Sequence, residues 1–122
     1  MRVVLDTNAL LLPFEYGLNL DIELERILGT PEVYVPSCVA GELARLSKTR
    51  REAKAALQLM ENYHIVEVEA LGDNGIIEAG ENLGAYVLTN DRELIGRLRK
   101  RRLGVITLKS NHLVILNEAR HD

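Results

Sequence analysis

No apolar run in this chain is long, and each gives way to a segment whose apolar residues recur at helical spacing. That alternation constrains the fold more than any other feature. Val3–Leu5, Val33–Val35, Ile65–Val68, Tyr86–Leu88 and Val105–Leu108 read as short buried strands. Between them, Leu18–Leu28 carries Leu20, Leu24, Ile27 and Leu28 on one face. The segment after Pro36 carries Val39, Leu43 and Leu46, with Ser37 as its expected cap. Arg51–Asn62, Asn74–Leu83 and Asp91–Arg102 continue the pattern. Leu83-Gly84 before Tyr86 and Leu103-Gly104 before Val105 read as matching helix–glycine–strand joints. Strands alternating with amphipathic helices predict an α/β fold, a three-layer α/β/α sandwich around a central parallel sheet. Leu113–Leu116 either extends the sheet or forms a tail. The 122 residues suit one domain spanning 1–122.

Several function classes lack their signals. No run approaches the length of a membrane span, so no membrane association is expected. The single cysteine, Cys38, permits no intrachain disulfide, which fits a cytoplasmic protein; Cys38 itself reads as a small core residue. His64, His112 and His121 have no mutual ligand spacing, so zinc is not expected. The glycine-rich loops that cradle nucleotide phosphates are absent from the sequence.

In an open α/β sheet, ligands bind where strands end and helices begin. Four carboxylates fall at such places. Asp6 directly follows Val3–Leu5 and caps no obvious helix. Glu42 stands in the second turn after Val33–Val35, at the border of the apolar stripe. Asp73 and Asp91 open the helices after Ile65–Val68 and Tyr86–Leu88. Each has a plain structural reading. Glu42 can pair with Arg45 at i+3, and Asp73 can serve as a simple N-cap. Asp91 is less easily dismissed, because Asn90 with Glu93 already forms a capping-box-like start. Four acids at one sheet edge would repel one another and raise their pKa values unless a cation met them. Mg²⁺ suits such a site, since it prefers oxygen ligands and activates water beside a phosphoryl group. Removing four carboxylates from the net charge of −3 leaves +1, so the remaining surface is mildly basic.

The sequence resembles a PIN domain. The resemblance runs through V-V-L-D-T-N-A-L at the start, V-P-S-C-V-A-G-E-L in the middle and G-D-N-G-I-I-E-A-G-E-N-L-G-A-Y-V-L-T-N-D-R-E-L from Gly72 to Leu94. It implies a Mg²⁺- or Mn²⁺-dependent endoribonuclease with Asp6, Glu42, Asp73 and Asp91 as the metal-binding catalytic acids. It further implies supporting roles for Asn8, toward a water or the first-strand loop, and for Thr89, toward Asp6 or a phosphate. Leu10–Leu20 is similar to the prokaryotic and archaeal branch associated with ribosomal RNA processing, whereas toxin-type relatives usually differ there. The partners this resemblance implies are an RNA substrate, an antitoxin or a ribosome-biogenesis protein, and a second copy, with the helix around Leu18–Leu28 as a dimer surface.

Two basic segments fit an RNA substrate: Arg45, Lys48, Arg50 and Arg51, and then Arg97, Arg99, Lys100, Arg101 and Arg102. Solvated helix faces explain the same residues equally well. A catalytically silent PIN-like module that binds RNA or protein is the alternative reading. Receiver and dehalogenase-type phosphatase folds fit less well, because Asp6 is followed by Thr7 and Asn8 rather than a second acid.

Overall fold

A computed structural model describes residues 1–119; His121 lies outside them. The chain runs β1 (Arg2–Leu5), α1 (Thr7–Tyr16), α2 (Leu20–Leu28), β2 (Glu32–Pro36), α3 (Ser37–Leu46) and α4 (Arg51–Met60). It continues with β3 (His64–Val66), α5 (Gly72–Leu83), β4 (Tyr86–Leu88), α6 (Arg92–Lys100), β5 (Val105–Lys109) and β6 (His112–Asn117). One sheet holds all six strands in the order β3-β2-β1-β4-β5-β6. The first five are parallel, and β6 pairs antiparallel with β5. The sheet is therefore mixed, with Leu113–Leu116 forming its antiparallel edge and not a tail.

Val3, Val4 and Leu5 are all fully buried, as are Tyr86, Val87 and Leu88 within about one percent. Consecutive strand residues point to opposite faces, so both faces of the central strands are covered, as three layers require. The core is almost wholly aliphatic; Tyr86 is the one aromatic ring among its fully buried side chains. Leu18, Leu20 and Leu24 are buried too. The stripe expected as a dimer surface thus packs inward, and Ile22, with Phe14 and Tyr16 of α1, faces solvent.

Helix α1 has no counterpart in the sequence reading. Thr7, Ala9, Leu10, Leu11 and Leu12 are all buried, so the helix is apolar nearly all round and shows no 3.6-residue stripe. Pro13 within it further departs from an ordinary helix sequence. Ser37 is not the cap of α3: Pro36 occupies that position. Ser37 instead accepts from the Val68 N–H at 3.0 Å, and β3 ends at Val66, short of the expected Val68.

The two leucine–glycine joints also differ. Gly84 takes the left-handed conformation after α5 (φ +59°), as anticipated. After α6 that conformation belongs to Arg102, and Gly104 serves a close approach instead. A Cβ on Gly104 would lie 2.5 Å from the Tyr86 ring.

The chain moves outward from β1 to β2 and β3, then returns to place β4 on the other side of β1. The strand order therefore reverses between β1 and β4. Crevices form at the carboxyl ends of strands at such a point.

Candidate active site

Asp6 and Asp91 stand at that reversal, and both are helix caps. Asp6 has extended backbone (φ −85°, ψ 177°), and its Oδ1 accepts from the Ala9 N–H at 2.7 Å. Asp91 does the same for α6, accepting from the Leu94 N–H at 3.0 Å. The expected capping role of Asn90 is thus taken by Asp91. The Asn90 side chain accepts from Thr107 Oγ1 at 2.8 Å and the Leu108 N–H at 2.9 Å, tying the end of β4 to β5. Each capping carboxylate spends one oxygen on its helix and lines the crevice.

Asp73 lies in the first turn of α5 and is not its cap; Leu71 is. The loop before it is pinned from within α5, where the Glu78 carboxylate accepts from the N–H groups of Glu69 and Ala70. Gly75 lets this helix approach: a Cβ there would sit 2.5 Å from the Ala70 carbonyl oxygen and 2.6 Å from Cys38 Sγ. Glu42 is half-buried in α3 and is not within ion-pairing distance of Arg45, so the simple i,i+3 pairing is not made.

All four acids line one cavity of about 180 Å³, with exposed Asn8 and half-buried Cys38 on its wall and no lysine or arginine. Cys38 is therefore a cavity residue as well as a packing one; its place in the first turn after β2 was the available signal. Asp6 is 4% exposed, and burial pushes its pKa up to about 6. The Thr89 hydroxyl and the Ala9 N–H oppose that rise, while Asp91 and Asp73 add to it. Burial and then Asp91 also raise Asp73, against Arg97. Thr89, 1% exposed, accepts from the Asp91 N–H at 3.1 Å. It therefore links the two capping acids from behind, out of reach of solvent.

Among the described residues, no three His, Cys, Asp or Glu side chains converge closely enough to grip one ion together. The acids line walls and do not meet at a point. A hydrated hard cation fits that arrangement, because Mg²⁺ commonly takes one or two carboxylates directly and keeps several waters. The all-oxygen acid set and the raised Asp6 both favour such an ion.

The basic residues divide. Arg45, Lys48 and Arg51 are exposed around the α3–α4 turn, while Arg50 reaches Glu15 at 3.4 Å. Arg97 donates to Asn74 beside Asp73. Arg99, Lys100, Arg101 and Arg102 lie at the far end of α6, and Arg101 pairs with Glu81 at 3.0 Å.

The pattern of the PIN like domain family matches residues 3–111. The chain belongs to the PIN-like domain family. Ribonuclease VapC4 of Methanocaldococcus jannaschii is 36% identical over 118 residues, covering 88% of this chain and 90% of that protein. Ribonuclease VapC9 of Archaeoglobus fulgidus is 32% identical over 118 residues, covering 93% and 87%. The PIN domain endonuclease Utp24 superposes with a TM-score of 0.84 at 21% identity, over 97% of this chain and 92% of its own. VapBC2 from Rickettsia felis, bound to a DNA fragment from their promoter, gives a TM-score of 0.66 at 16% identity, over 89% and 100%. At those identities the solved structures speak for the PIN fold alone. No helix among the described residues of this PIN-like domain is long and apolar enough to cross a membrane.

Proposed function

We propose that this PIN-like domain is a Mg²⁺- or Mn²⁺-dependent endoribonuclease. One observation carries the reading: four acids from separate parts of the sequence line a single cavity at the sheet's reversal point, with no basic side chain on its wall. The relatives named as ribonucleases support it. Asp6 and Asp91 would hold the ion, with Asp73 and Glu42 facing it directly or through water. When bound, the ion supplies Lewis-acid stabilisation of phosphoryl charge and acidifies water. Thr89 fixes the first two acids, and Asn8 orients a water or phosphate at the rim. Acids without a positive neighbour on the wall repel a bare phosphodiester, so the substrate enters only when the cavity is neutralised.

The partner we assign is an antitoxin-type protein in a reducing cytoplasm. The VapC names of the relatives and the VapBC2 complex support this over the ribosomal RNA-processing role that Leu10–Leu20 suggests. The test is cleavage of end-labelled RNA with Mn²⁺ or chelator, by wild type and Asp6→Asn prepared in parallel. Cleavage confined to wild type with metal is expected. Equal cleavage by the variant would sink the assignment. Saturable metal binding without cleavage of any RNA tried would favour the silent RNA- or protein-binding module.

A further inference from the structure

We propose that the sheet edge opposite the acids is an exosite for single-stranded RNA, held by Arg99, Lys100 and Arg102. The identity of the polyanion rests on the ribonuclease reading above; the existence of the site does not. Helix α6 starts at Asp91 in the acidic cavity and runs back to the amino ends of the strands. Nine helical residues span about 13 Å, so its two ends cannot contact the same phosphate. A separate cavity of about 300 Å³ lies at the far end, lined by Arg101, Arg102, Gly84 and Gly104 among others. The Arg2 guanidinium donates to the Leu83 carbonyl at this edge and adds to its charge.

Cations near a helix C-terminus complement its dipole, and that alone would explain Arg99 and Lys100. It does not explain Arg102. The end of α6 is a Schellman turn, with the Leu103 N–H on the Leu98 carbonyl at 3.1 Å and the Arg102 N–H on the Arg99 carbonyl at 3.0 Å. Arg102 fills its left-handed position at φ +59°. Helix α5 ends at the same edge in the same motif, Ala85 bonding Gly80 and Gly84 bonding Glu81, and there the left-handed residue is glycine. A Cβ in that conformation is strained, so an arginine is held where glycine would be more comfortable. Strain kept at an exposed charged residue points to work done by its side chain. Glu81 is taken by Arg101, and the Glu118 carboxylate by the Tyr86 hydroxyl. Among the described residues, Arg99, Lys100 and Arg102 have no carboxylate within ion-pairing distance. Three exposed cations on one edge suit a flexible phosphate backbone that crosses from one end of α6 to the other.

The experiment compares wild type, Arg102→Gly and Arg99→Ala/Lys100→Ala/Arg102→Gly by fluorescence anisotropy in chelator. The probe is a labelled single-stranded RNA of roughly 20 nucleotides. For the triple variant, long-RNA affinity should fall on the order of tenfold, and its log–log salt slope should shrink by about 2. Measured separately with the ion added, the Mn²⁺-induced rise in Tm should stay as in wild type. Arg102→Gly should bind long RNA more weakly while melting higher, by roughly 2–6 °C, because the strain is relieved. That opposition separates the proposal from damage to the fold. Long-RNA binding within twofold of wild type would overturn the exosite and leave the edge to a protein partner. No RNA binding by wild type would overturn it as well. Because no cleavage is read, failure of the ribonuclease reading leaves this outcome unaffected.

Discussion

Asp6 caps a helix and lines a cavity, and those two services can be separated by substitution. Asparagine keeps an oxygen to accept from the Ala9 N–H, so α1 keeps its cap. It also removes a buried charge whose pKa stands at about 6, which at neutral pH is held ionised against burial and two other acids. In metal-free protein near pH 7.5, Asp6→Asn should therefore unfold at the same urea concentration as wild type or a higher one. Asp6→Ala should be less stable than Asp6→Asn by about 1 kcal/mol, the usual worth of a cap. Equal destabilisation by both would make the negative charge itself structural and remove the case for a cation. The location of this acid was legible, because a strand pattern ending in aspartate places it at the sheet edge. Its capping role was not, because the helix it caps is apolar nearly all round and leaves no periodic trace. Asp91 was misread for a related reason: Asn90 matches a capping sequence, but its side chain meets Leu108, a contact set by strand pairing far along the chain.

Between elements, the least legible contact joins α2 to β6. Glu23 accepts from the Leu113 N–H at 2.8 Å, and its neighbour Arg26 donates to the Leu113 carbonyl at 2.7 Å. The pair therefore satisfies both backbone groups of an edge-strand residue, as a further strand would, and blunts that edge against pairing. Nothing in the sequence relates residue 23 to residue 113; the i,i+3 spacing of Glu23 and Arg26 by itself indicates no more than an ordinary helix pair. The contact has a pH signature. Arg26 first, and then the Leu113 N–H, hold the Glu23 pKa down to about 2, against 4.5 for the free group. A depressed carboxyl stabilises the fold in full above its unfolded value, and that stabilisation is lost as pH falls through the folded one. Between about pH 4.5 and 2, wild type should lose stability faster than Glu23→Gln. Urea midpoints measured for both proteins across that range give the difference directly. Parallel curves would mean that Glu23 titrates normally and that β6 is held by its ladder with β5 alone.

At the scale of the whole molecule, strand order turns four separated acids into one site. Periodicity announces which segments are strands but not which strands are neighbours. The return of the chain from β3 to the far side of β1 sets Asp91 beside Asp6 across the reversal. The same order sends the basic end of α6 to the opposite edge, so a net charge of −3 hides two poles. A fold that gathers like charges is less stable than one that spreads them, and it must recover that loss from whatever binds there. Linkage sets the size of the recovery: at about one hundred times its dissociation constant, a ligand specific to the folded state adds about 2.7 kcal/mol. For a domain of this size, saturating Mn²⁺ should raise Tm by roughly 10 °C, and chelator should reverse it. Asp6→Asn should start at or above the metal-free wild type and gain little from the ion. The two melting curves would then approach one another as Mn²⁺ is added and cross when wild type is saturated. Equal gains in both proteins would put the ion outside the cavity. No gain in wild type would mean that the fold tolerates its acidic pole unaided, leaving the four carboxylates as two caps and two surface groups.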